Sequence, residues 1–268
     1  MAKWIQIEEW DLQTEDEELA RYLYGSIVTE KEYDYKTFDI KKGGVVFDVG
    51  ANIGVTSLYF LKQYKSTVYS YEPSPCSFAC LKANVEKNCM SDDGVAKLFQ
   101  VAVTTKSSEN MTFTHFPNRS GLSTLKPVPG DLEPKWLEGL SQLAKGRSAN
   151  KSSVEFFREA TAEKEFYNVI GVTISEEIRK HNISRISLLK IDVERAELDV
   201  LNGIDEEDWS KIDHIAVEIE NQTEFLEKVE KLLLLHGYEC EKVPGGEWFC
   251  SIYAKRKPDE KQLEPKKT

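Results

Sequence analysis

The chain reads as an α/β protein built on a doubly wound, mostly parallel sheet with an antiparallel strand near the C-terminus. Three observations lead there. An apolar run at 45–49 ends in an acid and a glycine turn, giving Phe47-Asp48-Val49-Gly50-Ala51-Asn52-Ile53-Gly54. A second strand-like run at 67–72 ends in Glu72, 18 residues after Gly54. From there strand-type and helix-type patterns alternate, as a parallel sheet with right-handed crossovers requires.

Taken in order, residues 1–30 read as helical and acidic, with Leu12, Leu19, Tyr22 and Leu23 spaced among charges. Residues 32–39 read as a loop or short strand, and Lys41-Lys42-Gly43-Gly44 is the turn that closes an N-terminal helical or lid segment, 1–42. Strand 45–49 leads to helix 53–64, with Val55, Leu58, Tyr59 and Leu61 at helical spacing. Strand 67–72 precedes helix 75–88, spaced in the same way by Phe78, Leu81 and Val85, and 96–103 is the third strand. Between about 107 and 166 the rhythm breaks. Residues 111–116 form an extra strand and 117–125 a polar loop; 126–165 are rich in Lys, Glu, Ser and Gly, with helical patches at 136–143 and 154–163. A long insertion in a compact domain is usually functional or disordered, and this one reads as a lid over the substrate. Strand 167–172, helix 175–181, strand 187–193, helix 196–202, strand 214–220 and helix 223–236 follow, with final strands at 238–243 and 248–255. The main domain spans 43–256, and the charged stretch 257–268, with two prolines, reads as a tail or linker.

Bulk properties narrow the function. The 268 residues, 40% of them hydrophobic, suit one α/β domain with additions. A net charge of −11 argues against nucleic acid as the main partner. No apolar run reaches membrane-spanning length, and the first residues do not read as a signal peptide. Five cysteines, Cys76, Cys80, Cys89, Cys240 and Cys250, match neither a disulfide framework nor a zinc spacing and read as reduced thiols of a cytoplasmic protein.

The glycine turn lacks the middle glycine of a nicotinamide-binding loop. It reads Asp-x-Gly-x-Asn-x-Gly, which resembles motif I of class I S-adenosylmethionine methyltransferases. A carboxylate at Asp48 repels a pyrophosphate but suits a cationic ligand. A second stretch, Leu188-Leu189-Lys190-Ile191-Asp192-Val193-Glu194-Arg195-Ala196-Glu197-Leu198-Asp199-Val200-Leu201, points the same way. Together with Tyr71-Glu72-Pro73 the two stretches resemble the FkbM family of S-adenosylmethionine-dependent methyltransferases, over roughly 25–245 without most of the insertion. The family usually has glycine where this chain has Arg195. That departure, with Asp205-Glu206-Glu207-Asp208-Trp209-Ser210-Lys211-Ile212, is similar to O-methyltransferase domains of polyketide and nonribosomal peptide assembly lines, which methylate a hydroxyl on a carrier-bound intermediate.

The resemblance implies that Asp48, Gly50, Asn52 and Gly54 wrap the methionine part and the ribose of the cofactor. It implies that Glu72 takes both ribose hydroxyls, that Pro73 and Ser74 follow it around the ligand, and that Ala102 lies beside the adenine at the end of the third strand. Asp192, Glu194 and Glu218 fall at carboxyl ends of strands, where such sheets bind ligands. They would converge near the methyl group and either raise one another's proton affinity to make a base or hold a divalent metal. Solvated strand-end acids are the plain alternative, and Glu194 would also suit the start of the following helix. His181 and His236 close helices, and His214 sits at the wrong end of its strand for chemistry. His115 precedes the Pro117-Asn118-Arg119 loop and is the histidine to consider as a base. Asn118 and Arg119 would orient an acyl chain or touch the cofactor.

Three functions follow. The first is O-methylation of a hydroxyl on a natural-product intermediate, held by an acyl or peptidyl carrier protein. The second is methylation of a free sugar or small metabolite. The third is a cofactor-binding interaction module without turnover, for which Arg195 in place of glycine is the support.

Overall fold

The computed structural model describes residues 2–128, 158–159, 161–220, 223–245 and 249–258. The N-terminal segment is the first departure from the sequence reading. Instead of a helix throughout, it opens with an antiparallel hairpin, β1 (Lys3–Ile7) and β2 (Trp10–Thr14). Trp10, Leu12 and Thr14 are buried and alternate with Asp11 and Gln13, a period of two that the scattered leucines around it had masked. Helix α1 (Glu17–Leu23) starts only after Asp16, whose side chain accepts the Leu19 amide. A π-helical turn, Tyr24–Thr29, continues it.

The free edge of β2 is completed by a helix. Two asparagines one turn apart on α3 (Pro75–Asn88) act as a surrogate strand. Asn88 accepts the Asp11 amide at 3.1 Å and donates to the Asp11 carbonyl at 2.7 Å. Asn84 does the same for Gln13 and also donates to the Ile53 carbonyl at 2.8 Å. Edge backbone groups need such partners when they are covered.

The main sheet holds β3 (Val45–Val49), β4 (Thr67–Tyr71), β5 (Val95–Phe99), β9 (Leu188–Ile191), β10 (His214–Glu220), β11 (Tyr238–Pro244) and β12 (Phe249–Arg256), in the order β11-β12-β10-β9-β3-β4-β5. Only β12 runs antiparallel to its neighbours. The remaining three strands, β6 (Ala102–Val103), β7 (Ser108–His115) and β8 (Glu165–Val172), form a side sheet in the order β6-β8-β7. The expected third strand is therefore two pieces. Its first part stays in the main sheet, and Ala102-Val103 leaves to pair with Gly171-Val172. The expected extra strand of the insertion is β7. Of the two helical patches proposed within the insertion, 136–143 falls wholly and 154–163 half outside the described residues.

Strict alternation builds two cores. Phe47, Val49, Tyr69, Tyr71, Leu189, Ile191, Ile215 and Val217 point to one face, under α4 (Ile174–Lys180), α5 (Glu197–Asn202) and α6 (Thr223–Leu235). Val46, Val68, Leu188 and Ala216 point to the other, under α2 (Val55–Tyr64), α3 and the N-terminal hairpin. Among the described residues no helix is long and apolar enough to cross a membrane.

Asn84 is fully buried and serves three backbone groups of two other segments. Replacing it by leucine strands those groups. Urea unfolding of Asn84→Leu is expected to show a loss of about 2–4 kcal/mol. An unchanged midpoint would mean that the hairpin is not held through this residue.

Candidate active site

The chain leaves β3 towards β4 and β5 and returns to β9 on the opposite side. That reversal opens a crevice at the carboxyl ends of β3 and β9, the place where open α/β sheets bind ligands. Register decides what lines it. Ser70, Asp48, Lys190 and Ala216 are cross-strand partners on β4, β3, β9 and β10. Two residues further on, the same face carries Glu72, Gly50, Asp192 and Glu218. At about 5 Å per strand, Glu72 stands roughly 10 Å from Asp192 and roughly 14 Å from Glu218, with Gly50 between.

The inner row is a buried polar network. Lys190 Nζ lies 3.1 Å from Asp48 and 3.8 Å from Asp192, and donates to the Gly50 carbonyl at 2.7 Å. The second Asp48 oxygen accepts the Ser57 hydroxyl at 2.6 Å, and Ser57 reaches Ser70 at 2.7 Å. Burial works against the Lys190 charge, but Asp48 and Asp192 outweigh it and hold the ammonium above the usual lysine range. Asp48 has no exposed surface, and both its oxygens are engaged. Asp48 is thus linked to the glycine loop through Lys190, which bonds both it and the Gly50 carbonyl.

The glycines are set by protein packing. Gly50 has φ +78°, and a Cβ there would lie 1.7 Å from the Asp192 carbonyl oxygen. Gly54 has φ +89°, and its Cβ would meet Leu81 Cδ1 at 2.4 Å, so it brings α2 against α3. Asn52 takes φ +49° and caps its own turn, its side chain accepting the Ile53 amide at 2.8 Å.

At the β4 end, Glu72 is pinned from both sides. One carboxylate oxygen accepts the Asn52 amide and the other the Ser74 amide, each at 2.8 Å. Burial raises its proton affinity to about 7, against the pull of those amides. A carboxylate can accept about four bonds, so both oxygens keep capacity for a vicinal diol. Pro73 is buried beside it. Ser74 is buried too; its hydroxyl accepts the Ser77 amide as the cap of α3 and reaches His115 Nδ1.

At the other end, Asp192 keeps 33% of its side-chain surface exposed. Burial and Asp48 raise its proton affinity, opposed by Lys190. Glu218 is pushed well above the carboxylate range by burial first, then by Asp192 and Glu32. Glu32 and the buried Tyr33, from the N-terminal segment, feel the same charges.

This arrangement agrees with the comparisons. The sequence matches the Methyltransferase FkbM domain over residues 48–240. The chain belongs to the FkbM methyltransferase family. It is 32% identical over 221 residues to the 31-O-demethyl-FK506 methyltransferase FkbM of Streptomyces tacrolimicus, covering 82% of each chain. It is 31% identical to methyltransferase sdnD of Sordaria araneosa, covering 88% of this chain and 90% of that one. It is also 26% identical to the AMB antimetabolite synthetase AmbE of Pseudomonas aeruginosa, over 82% of this chain but 11% of that one. Among solved structures, M. jannaschii TYW2 in complex with AdoMet superposes with a TM-score of 0.44 at 12% identity, covering 95% of this chain and 85% of that one. That likeness is too loose to carry an argument; strand order and family establish the class I methyltransferase fold. As a family member the chain is an S-adenosylmethionine-dependent methyltransferase, and a carboxylate pinned by two amides across a glycine turn from an acid-lined cavity suits that cofactor.

Several expected site residues lie elsewhere. Ala102 belongs to the side sheet and packs with Phe113 and Val169, so it does not end the third strand. Arg119 ties the insertion to the N-terminal segment through Asp16 at 2.9 Å and Glu18 at 2.6 Å. Asn118 is exposed. His115 is fully buried, and its charged neighbours are Glu15 and Glu165, not the Asp192 group. Glu194 and Arg195 both take left-handed backbone, at φ +54° and +78°. That explains a glycine at the second position in relatives. The Glu194 carbonyl accepts the Thr124 hydroxyl, and the Arg195 amide donates to Glu197 at 2.9 Å. His214 does sit at the amino end of its strand, bonded to the Ser187 carbonyl at 2.8 Å. As for a metal held by the strand-end acids, Lys190 already stands among Asp48 and Asp192 as their cation.

Sequence reasoning missed Lys190, Ser57, Glu32 and Tyr33. Lys190 carried a signal: a lysine within the apolar run Leu188-Leu189-Lys190-Ile191 must find a buried acid.

Ribose hydroxyls donate best to an ionised carboxylate. Since the Glu72 proton is held to about pH 7, S-adenosylmethionine affinity is expected to rise as pH increases from about 6 to 8. Glu72→Gln should lose that rise and bind about tenfold to several hundredfold more weakly, at 1.5–3 kcal/mol per charge-assisted bond partly replaced by water. Calorimetric titration at three pH values reads both; equal affinities for the two proteins would displace the cofactor from this position.

Proposed function

We propose that this methyltransferase O-methylates a hydroxyl of a natural-product intermediate, using Glu218 with Asp192 as the proton acceptor. The observation that carries the reading is the placing of Asp192 and Glu218 on one face, at the strand ends where Gly50 and Glu72 would hold the cofactor, with burial and then Asp192 raising the proton affinity of Glu218. S-adenosylmethionine supplies an electrophilic methyl on a sulfonium. The protein has to present an oxygen in line with that methyl and accept the proton the oxygen sheds. A carboxylate kept basic by burial and like charge suits a hydroxyl near neutral pH better than a solvated one. Lys190 fixes Asp192 and the Gly50 carbonyl, so base and cofactor loop share one anchor. The printed name of the Streptomyces relative, an O-demethyl compound's methyltransferase, supports oxygen as the acceptor atom.

We further propose an intermediate carried on an acyl or peptidyl carrier protein in the cytoplasm. The match to a segment of the AmbE synthetase supports it. A free small metabolite is the second reading. It is favoured by relatives of similar length, of which the chain covers 82% and 90%. The Asp208-Trp209 turn, whose likeness suggested the assembly-line subgroup, precedes β10 at its amino end, away from the site, so it bears on neither.

Glu218→Gln and Asp192→Asn are expected to lower kcat by about 10²–10⁴ while S-adenosylmethionine affinity changes less than about threefold. Wild-type kcat/KM should climb with pH beyond the ordinary carboxylate range, and Glu218→Gln should flatten that climb. The readout is methyl transfer to a hydroxylated acyl chain offered on a carrier protein and as a free thioester. Unchanged kcat in both variants would remove these acids as the base. Equal turnover of the two acceptor forms would favour the free metabolite.

A further inference from the structure

Glu15, Cys76 and His115 come from three distant parts of the chain: the turn after β2, the first turn of α3 and the last residue of β7. One ligand atom from each lies within 4.8 Å of the others. Among the described residues this is the only group of three such side chains that meets so closely. The three are a carboxylate, a thiol and an imidazole, a donor set that suits borderline-soft divalent cations rather than magnesium or calcium.

A second observation points to a ligand at the same place. His115 has no exposed surface, and its Nδ1 contacts the hydroxyls of Ser74 at 3.2 Å and Ser123 at 3.1 Å. Its Nε2 has no hydrogen-bond partner; it faces Glu15 Oε2 at 3.5 Å, and that oxygen is also buried without one. Two buried polar atoms whose one partner is each other, at 3.5 Å, are held at longer than ordinary hydrogen-bond length and leave room for an ion between them. Zinc bonds of about 2.0–2.1 Å to nitrogen and about 2.0–2.2 Å to a carboxylate oxygen place two tetrahedral ligands about 3.4 Å apart, close to the spacing found. The Tyr167 hydroxyl, 3.6 Å from Cys76 Sγ, stands beside the group.

We infer that Glu15, Cys76 and His115 form a zinc-class metal site that locks the N-terminal hairpin and the insertion onto α3. Its position gives it a consequence for the cofactor. His115 touches the Ser74 hydroxyl, and the Ser74 amide holds Glu72. An ion there would stiffen the support behind Glu72 without touching the reacting atoms.

The test uses the full chain, stripped with a chelator and dialysed. Titration with cobalt(II) is expected to give one equivalent with a thiolate-to-cobalt charge-transfer band and tetrahedral ligand-field bands. Zinc should displace it and raise the Tm. Cys76→Ser, at a half-buried position that tolerates a hydroxyl, should abolish the charge-transfer band and weaken zinc binding by at least about a hundredfold. Glu15→Gln should weaken zinc while keeping the band. Absence of stoichiometric uptake would overturn the site and leave His115 and Glu15 sharing a proton. So would uptake that survives Cys76→Ser or His115→Ala unchanged, because the ion would then lie elsewhere. The family and the cofactor site stand under either result, since neither depends on these three residues.

Discussion

The Asp48–Lys190 pair is the interaction on which the active end of this protein depends. Both residues sit inside parallel strands, opposite each other in register, with 0% and 4% of their side-chain surface exposed. Neither charge would survive there alone; a buried ion that loses its partner costs about 3–5 kcal/mol. What keeps the pair is its geometry. Lys190 spends its other donors on backbone carbonyls of Val49 and Gly50, at 3.4 and 2.7 Å. Ser57 satisfies the far oxygen of Asp48. The cofactor loop is thereby fastened at its first residue by a side chain from the strand that also presents Asp192. A buried salt bridge is weak evidence for stability, but it is a precise way to fix one strand's loop to its neighbour.

The pleat carries that order outwards. Beyond the ion pair the same face ends in Glu72, Gly50, Asp192 and Glu218, one per strand. Glycine in the second place leaves room, and its left-handed backbone lets the Asp192 carbonyl approach closer than any Cβ would permit. Glu72 and the pair Asp192 and Glu218 thus stand at opposite ends of this row, separated by two to three strand spacings of about 5 Å each. An extended ligand laid across the strand ends would have one end at Glu72 and the other at the acids. On the proposed reading, adenosine recognition and proton removal would fall to residues on different strands of one rigid edge and could be tuned separately.

Much of this was legible in the sequence. The mostly parallel sheet followed from the alternation of patterns, while its strand order did not, and Asp48, Glu72, Asp192 and Glu218 stood out because acids at the end of apolar runs have few structural reasons to be there. What sequence could not give was side-chain direction within a row. Asp48 and Glu72 both look like ligand acids in one dimension. Register turns the first inward onto Lys190 and leaves the second between two amides. Ala102 was misplaced for a related reason: two residues of strand-like sequence can join a different sheet when a partner such as Gly171 offers an open edge. The cysteine spacing gave no sign of the Glu15, Cys76 and His115 group because those residues meet only through the fold.

The N-terminal segment shows most clearly how tertiary contacts override local pattern. Read alone, its leucines and acids suggest a helix. In the fold, Asn84 and Asn88 of α3 supply the hydrogen bonds that a neighbouring strand would, and the hairpin becomes affordable where it lies. From that base the chain runs on to place Glu32 and Tyr33 beside Asp192 and Glu218. Glu32 adds to the charge that raises the proton affinity of Glu218, so the segment tunes an acid of this group. Arg119, bound to Asp16 and Glu18, fastens the insertion to the same segment. Hairpin, Arg119 loop and sheet edge are thereby joined through one segment of the chain.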